Sequence, residues 1–237
     1  MKTVPIVEIF GPTIQGEGYH SGRPSIFVRT GGCGFRCRWC DSMHAVDPKH
    51  AKTWARQSPE DIVSRVVERA HGPMLVTFSG GDPAMHKGLG EAIHELGDRG
   101  CLTAIETQGE VLPDWIGWVH HATISPKPPS SGMPWPAQLS EVVKAARARC
   151  VDGYSLKVPV ADEADFEFAL EVYARYEPAH FFVQPVNLKP GDDTQRLVDR
   201  IDALRWLMEK VKDDPRCRSW RVGPQLHVLA WGEKLGV

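Results

Sequence analysis

Residues 25–40 read SIFVRTGGCGFRCRWC, and this stretch decides the fold. Its opening run, residues 25–30, is mostly apolar or β-branched, which predicts a strand. The strand leads directly into Cys33, Cys37 and Cys40, spaced as Cys-x3-Cys-x2-Cys. Thiolates are soft ligands that select iron–sulfur clusters, zinc or copper(I). A [4Fe-4S] cluster usually takes four cysteines, so three on one loop would leave one iron open to another ligand.

The alternative metal for this loop is zinc. His44 follows Cys40 closely, and a Cys3His set is a known structural zinc site. Zinc motifs usually split into two separated ligand pairs, whereas these four ligands would sit on a single short loop. The spacing therefore favours an iron–sulfur cluster. The rival classes are a non-catalytic zinc module, which metal content would reveal, and a plain iron–sulfur electron carrier.

Strand and helix patterns alternate along the rest of the chain. Strand-like runs occupy residues 25–30, 74–78, 102–106, 121–125, 154–158 and 180–184. Helical patterns begin after Ser58 and cover roughly 86–98, 141–149, 163–176 and 194–211. This alternation is typical of βαβ units and a parallel sheet. About six units are too few for the eight of a closed barrel, so we expect an α/β fold, an open partial (β/α)6 barrel, with residues 1–237 as a single domain.

Five of the predicted strands end in polar or glycine-rich segments. In chain order these are GGCGFRC at 31–37, SGGDP at 79–83, ETQG at 106–109, SPKP at 125–128 and QPVN at 184–187. Parallel sheets bind ligands at the carboxyl ends of their strands. We therefore expect the five segments to form one shared site.

Composition narrows the class of protein. The chain has 237 residues and a formal net charge of −2, with no Lys/Arg stripe, so no nucleic-acid partner is expected. The first residues lack the long apolar region of a signal peptide, and the longest apolar runs are of strand length, so we expect a cytoplasmic protein without a membrane span. Cys101, Cys150 and Cys217 are scattered singly and are expected to be buried as small hydrophobes.

The motifs together resemble those of radical S-adenosylmethionine (SAM) enzymes, so the expected fold is a partial (β/α)6 barrel of the radical SAM type. More narrowly, they resemble the motifs of the 7-carboxy-7-deazaguanine synthase family. The cysteine loop with Trp39 before its last cysteine resembles the superfamily signature, and SGGDP resembles its GGEP loop. The narrower likeness rests on the segments FGPTIQGEG at 10–18, GRPSIFVR at 22–29, CDS at 40–42, SPK at 125–127, QPVN at 184–187 and PQLH at 224–227. A glycyl-radical activase, the nearest radical SAM rival, would lack the QGEG and PQLH segments.

This resemblance implies an activity and its cofactors. Family members convert 6-carboxy-5,6,7,8-tetrahydropterin to 7-carboxy-7-deazaguanine with loss of ammonia, as a lyase step in 7-deazapurine (queuosine) biosynthesis. The implied cofactors are a [4Fe-4S] cluster, SAM that is used catalytically, and Mg²⁺. The implied partners are the small-molecule pterin, a reductant such as flavodoxin, and a second copy of the chain in a homodimer.

The resemblance also implies the site residues. Substrate would contact Ile14, Gln15, Gly16, Arg29 and Ser79, and proton transfer would fall to Glu17 or His227. SAM would contact Trp39, Cys40, Asp41, Gly81, Glu106, Ser125, Pro126, Lys127, Gln184, Pro185, Val186 and Asn187. The cluster would be held by Cys33, Cys37 and Cys40, and magnesium by Ser42.

Two positions depart from the family pattern, and four residues keep a plainer reading. Ser42 stands where the family usually has Thr, which preserves the hydroxyl, and Asp82 replaces the Glu of GGEP, which is tolerable if the backbone binds the ligand. A turn role for Glu17 and a structural role for His227 compete evenly with roles in the site. The plainer readings of the other two are a solvated strand end (Arg29) and a surface lysine (Lys127).

Overall fold

One nine-stranded sheet runs through the molecule. The structure, a computed structural model, describes residues 3–187 and 193–232, together with 234 and 236. The strands are β1 (Val4–Ile14), β2 (Pro24–Thr30), β3 (Ala55–Gln57), β4 (Leu75–Gly80), β5 (Leu102–Thr107), β6 (His121–Ile124), β7 (Tyr154–Val160), β8 (Phe181–Pro185) and β9 (Trp220–Val222).

The strand order is β3-β1-β2-β4-β5-β6-β7-β8-β9. Strand β2 and strands β4–β9 pair in parallel, whereas β1 pairs antiparallel with both β2 and β3. The sheet is therefore an open one rather than a closed barrel. Its parallel register sets Arg29 opposite Ser79, so side chains from neighbouring strand ends meet at one edge.

Helices connect most of the parallel strands. They are α1 (Met43–Val46), α2 (Pro59–Ala70), α3 (Leu89–Asp98), α4 (Leu139–Arg149), α5 (Glu163–Tyr176), α6 (Asp193–Asp213) and α7 (Leu226–Trp231). The predicted start at Ser58 is confirmed, because its side chain accepts from the Asp61 N–H while the Asp61 carboxylate accepts from the Ser58 N–H. Among the described residues, no helix is both long and apolar enough to cross a lipid bilayer.

The strands of the sheet carry a large part of the hydrophobic core. Phe78, Ile105, Leu156 and Phe181, one from each of four parallel strands, are almost wholly buried. All seven residues of β7 are buried. Within β7, Leu156 and Val158 belong to the core and alternate with Ser155 and Lys157, a pattern typical of a strand. Cys101, Cys150 and Cys217 are buried and unpaired, as expected.

The predicted α/β fold is confirmed, and the differences have local causes. The six predicted strands correspond to β2 and β4–β8, and the helix predicted over residues 163–176 has the bounds of α5. Helix α3 begins three residues later than predicted, because Asp82 caps a 3-10 turn over Pro83–Met85. Strand β1 was not predicted: Pro5, Gly11 and Pro12 interrupt its alternating pattern, and such residues usually mark edges or bulges.

Candidate active site

The loops at the carboxyl ends of the parallel strands surround a cavity of about 500 Å³. Nearly all the residues expected in the site line it. These are Ile14, Gln15, Glu17, Arg29, Cys33, Cys37, Trp39, Cys40, Asp41, Ser42, Ser79, Gly81, Glu106, Ser125, Lys127, Gln184, Pro185, Val186, Asn187 and His227. The five segments that follow different strands therefore share one cavity.

Gly16 and Pro126 are the two expected site residues outside this lining. Pro126 is buried between Ser125 and Lys127, two residues that do line the cavity. Gly16 lies against His227: a Cβ at this glycine would be 2.2 Å from the His227 Nδ1. The Leu226 N–H donates to the Gly16 carbonyl at 3.0 Å. Gly16 thus lets the C-terminal helix pack directly on the N-terminal loop.

The cysteine loop carries its three thiols at the cavity wall. The Phe35 N–H donates to the Cys33 sulfur at 3.4 Å, and the Arg36 guanidinium donates to the Cys33 carbonyl at 2.6 Å. Burial raises the pKa of Cys33 to about 11 and that of Cys40 to about 12. It also raises the pKa of Cys37. Without metal the thiols are protonated at neutral pH, so a metal must displace protons to bind.

The loop suits a cluster better than a single ion. Within the described ranges, no three Cys, His, Asp or Glu side chains are gathered to hold one metal ion. The His44 Nε2 lies 3.9 Å from the Glu8 carboxylate. Each thiolate of an iron–sulfur cluster binds a different iron, so cluster ligands need not converge on one point.

The SGGDP loop packs on the cysteine loop through its backbone. The Gly81 N–H donates to the Thr30 carbonyl at 2.9 Å, and the Asp82 N–H donates to the Gly32 carbonyl at 2.8 Å. A Cβ on Gly81 would lie 2.0 Å from that Gly32 oxygen. Only glycine fits this approach, and it leaves the loop backbone facing the cavity.

Asp82, which replaces the usual Glu, points away from the cavity. Its carboxylate accepts from the Ala84 N–H at 3.0 Å and from the Thr107 hydroxyl at 3.1 Å. Burial raises the pKa of Asp82 to about 6 despite these bonds. The side chain ties the SGGDP loop to the end of β5 and takes no part in lining the cavity.

Glu106 joins two residues expected to bind substrate. The Gln15 amide donates to one Glu106 oxygen at 3.1 Å, and the Ser79 hydroxyl donates to the other at 2.9 Å. The other end of the Gln15 amide accepts from the Glu17 N–H at 3.2 Å. These side chains form a row of donors and acceptors along one wall.

A buried charge network lies beside that wall. Glu17 pairs with Lys157, and it accepts from the Gln184 amide at 2.9 Å and from the Gln225 amide at 2.7 Å. Burial alone would raise the pKa of Glu17, but the Lys157 ammonium and His227 outweigh it and hold that pKa well below its usual range. Glu17 therefore stays a carboxylate across the neutral range.

Ser42, the expected magnesium ligand, is hydrogen-bonded to Asp41 and Arg29, and Arg29 is in turn held by Glu8. The Ser42 hydroxyl donates to the Asp41 carboxylate at 2.9 Å and accepts from the Arg29 guanidinium at 3.3 Å. The Arg29 Nε donates to Glu8 at 2.7 Å. Hydrogen bonding from His44 and the charge of Arg29 lower the pKa of Glu8 despite its burial. Arg29 is thus fixed at the cavity wall instead of being solvated.

Lys127 is likewise held inside the site. Its ammonium donates to both the carbonyl and the hydroxyl of Ser125, each at 2.9 Å. Burial lowers the pKa of Lys127. The surface-lysine reading is therefore wrong for this residue.

Sequence reasoning missed three polar residues that line the cavity, Gln108, Lys157 and Gln225. It also missed Glu8, which does not line the cavity but pairs with Arg29. A signal existed for Lys157, because a charge inside a wholly buried strand requires a buried partner. Gln225 and Gln108 stood inside segments that were singled out, PQLH and ETQG, without being assigned. Glu8 gave no signal, since its strand was not recognised.

Comparisons with known proteins agree with this arrangement. Residues 27–123 match the family model described as the Radical SAM superfamily. The 7-carboxy-7-deazaguanine synthase of Bacillus cereus is 39% identical over an alignment that covers 100% of both chains. The enzyme of the same name from Bacillus subtilis is 38% identical over 100% of this chain and 99% of that one.

A solved structure extends the likeness to three dimensions. The crystal structure of QueE from Escherichia coli matches with a TM-score of 0.71 and 27% identity, covering 95% of each chain. The similarity therefore spans the whole cavity, from the N-terminal loop to the C-terminal helix. The family resemblance read from the motifs is confirmed: the chain belongs to the 7-carboxy-7-deazaguanine synthase family, whose members are radical SAM lyases.

Proposed function

We propose that this enzyme converts 6-carboxy-5,6,7,8-tetrahydropterin to 7-carboxy-7-deazaguanine with loss of ammonia. The observation that carries the proposal is the single cavity shared by the three-cysteine loop and the Gln15–Glu106–Ser79 row. A plain electron carrier would need no such row, and a zinc module would need no such cavity. The names of the full-length relatives support the same product.

The cluster would be held by Cys33, Cys37 and Cys40, and SAM by the backbone and side chains around them. Gly81 supports this, because it lines the cavity and its tight approach to Gly32 holds the SGGDP loop against the cysteine loop. When bound, the cluster and SAM supply a 5′-deoxyadenosyl radical that removes a hydrogen atom from the substrate. The chain's own part is to bind, orient and shield the reacting groups.

The row formed by Gln15, Glu106 and Ser79 is proposed to bind the pterin, which moves Glu106 from the SAM contacts implied by the resemblance to the substrate. A pterin edge alternates donors and acceptors, and the Gln15 amide together with Glu106 offers the same alternation. Arg29 is a fixed guanidinium at this wall and suits the substrate carboxylate. The bound pterin would replace some of the hydrogen bonds within the row.

Magnesium is proposed to bind at Ser42 and Asp41. Mg²⁺ prefers oxygen ligands, and it commonly takes one or two carboxylates with the remaining places filled by water or substrate. The hydroxyl and carboxylate oxygens lie 2.9 Å apart at the cavity wall. This pair fits a hard cation that also meets the substrate carboxylate.

His227 is the better candidate for proton transfer. The Glu17 carboxylate is occupied by Lys157, Gln184 and Gln225 and stays ionised, so it is a weak base. His227 lines the cavity beside Gly16, and histidine is the side chain that most often transfers protons in active sites. We assign to Glu17 the task of holding the N-terminal loop against the SAM side of the cavity.

A homodimer in the cytoplasm completes the proposal. Helix α6 exposes Leu197, Ile201 and Met208, which helical periodicity sets on one face, and a second copy would cover this apolar stripe. In light scattering after size exclusion, Ile201→Glu should give monomers, whereas Val67→Glu, at an exposed position on α2, should not.

All six cysteines are free, which suits a reducing compartment and supports a cytoplasmic reductant such as flavodoxin.

Activity of the anaerobic protein tests the proposal. The protein is reconstituted with iron and sulfide and given dithionite, SAM, Mg²⁺ and 6-carboxytetrahydropterin, and products are followed by mass spectrometry. We expect 7-carboxy-7-deazaguanine without stoichiometric loss of SAM, and no product from Cys37→Ala. Cleavage of SAM without a deazapurine would refute the substrate, and a colourless zinc protein would refute the cluster.

A further inference from the structure

We propose that Gln108 donates a hydrogen bond to the Cys33 sulfur when that sulfur binds the cluster, and thereby raises the reduction potential of the cluster. This inference rests on the proposed function in one respect, namely that the cysteine loop holds a [4Fe-4S] cluster. It assigns to Gln108 a positioning and tuning role that the family motifs left open.

Gln108 is buried and firmly held. It follows directly after β5 and is 4% exposed. The Ser125 N–H donates to the carbonyl of the preceding Thr107 at 2.7 Å, and the Thr107 hydroxyl donates to Asp82 at 3.1 Å. The Gln108 side chain lines the cavity from this fixed point, so it has little freedom to leave the cysteine loop.

The two ends of its amide are used unequally. The Oε1 lies 3.7 Å from the Cys33 sulfur, as the acceptor of the thiol S–H. The Nε2 is buried and has no hydrogen-bond partner. It faces the same loop, 3.8 Å from where a side chain on Gly34 would begin. A buried donor without an acceptor is unfavourable, so the arrangement with a protonated thiol leaves part of the amide unsatisfied.

Metal binding reverses what the sulfur can do. A ligating thiolate has lost its proton and can only accept. The amide oxygen would then face another acceptor, while its N–H group stays unpaired. A half-turn about the terminal side-chain torsion, which is a soft one, points the N–H group at the sulfur and removes both problems. The Phe35 N–H already donates to the same sulfur at 3.4 Å.

Donation to a cluster sulfur has a definite electrochemical sign. One-electron reduction makes the cluster more negative, and N–H groups directed at its sulfurs stabilise the added charge. The potential therefore rises when the hydrogen bond is present and falls when it is removed. Replacing the donor with an anion should lower it further.

Redox titration followed by electron paramagnetic resonance tests this inference on the reconstituted enzyme. The variants are Gln108→Leu, which removes the amide, and Gln108→Glu, which keeps its size and removes the N–H group. The matched control is Gln138→Leu, at an exposed glutamine that accepts from the Leu112 N–H. Iron and sulfide content are measured for each protein.

We expect a lower midpoint potential in Gln108→Leu, a still lower one in Gln108→Glu, and the wild-type value in Gln138→Leu. If Gln108→Leu fails to fold, the Glu variant alone carries the test. Equal potentials in all proteins with full clusters would overturn this inference and leave the proposed function standing. A wild-type protein that assembles no cluster would overturn both.

Discussion

Glu17 and Lys157 form an ion pair at the cavity wall, 140 positions apart in the sequence and nearly inaccessible to solvent. Glu17 comes from the loop after β1 and Lys157 from the middle of β7, so the pair joins the two sides of the cavity. Burial would lower the pKa of Lys157, but the Glu17 and Glu106 carboxylates raise it instead. Both groups are charged at neutral pH, and each charge compensates the burial of the other.

Removing one partner of this pair should destabilise the fold more than removing both. Lys157→Met leaves a buried carboxylate uncompensated, which costs about 3–5 kcal/mol. In the double variant Glu17→Gln, Lys157→Met no charge remains, so most of that loss should be recovered. Denaturant unfolding of the two single variants and the double variant measures the free energy of unfolding. Additive losses would contradict the pairing.

Gly81→Ala should disrupt the SGGDP loop. The new Cβ would lie 2.0 Å from the Gly32 carbonyl oxygen, a backbone atom that cannot yield without moving the cysteine loop. We expect reduced cluster incorporation and a lower melting temperature. The control is Gly97→Ala in α3, where the nearest atom is 3.6 Å away and helix propensity favours alanine by about 1 kcal/mol. Full cluster content in Gly81→Ala would refute the packing argument.

Ser42 should decide the response to magnesium. Ser42→Ala removes the hydroxyl oxygen beside Asp41, so product formation should lose its stimulation by Mg²⁺. Ser42→Thr keeps the oxygen and should retain the stimulation. The comparison is made by titrating Mg²⁺ against initial rate for the three proteins. An alanine variant with wild-type magnesium dependence would remove Ser42 from the metal site.

The histidines at the other end of the barrel predict a pH dependence of stability. His20 and His121 lie beside each other, with ring centroids 5.2 Å apart. Burial, followed by the charge of Arg23, lowers the pKa of His20 to about 4. Burial, followed by the charge of His20, lowers that of His121 to about 4. Both rings are therefore neutral in the folded protein.

The unfolded chain takes up these protons near pH 6.5, whereas the folded chain resists until about pH 4. Stability is thus fully present above pH 6.5. It should fall by up to about 1.4 kcal/mol per pH unit for each histidine as the pH drops from 6.5 to 5. The free energy of unfolding is measured by urea unfolding at each pH across this range. Its change with pH should be smaller in His121→Gln and the same as in the wild type in His71→Asn, a surface control. A flat wild-type profile would contradict the assignment.

The sequence predicted six of the seven parallel strands, because their runs of apolar and β-branched residues are a local signal. It could not predict β1, whose prolines and glycine break the alternation while β2 and β3 hold the strand on either side. Local pattern says little about a strand that is stabilised mainly by its neighbours in space.

The site was predicted through its motifs, and the gaps follow from the same limit. Gly16 could be assigned to substrate because it stands in a motif, but its contact with His227 joins distant parts of the chain and leaves no local trace. Lys157 has its partner in Glu17, which no spacing rule connects to it. Pairings of this kind become visible only once the sheet order is known.

The bond between Gln225 and Glu17 has a consequence for how the enzyme is made. These residues are 208 positions apart, so an N-terminal loop that leaves the ribosome early must wait for almost the last helix before its carboxylate is fully bonded. Such distant contacts form late in folding. A partly synthesised chain can therefore display its three cysteines while the opposite wall of the cavity is still open.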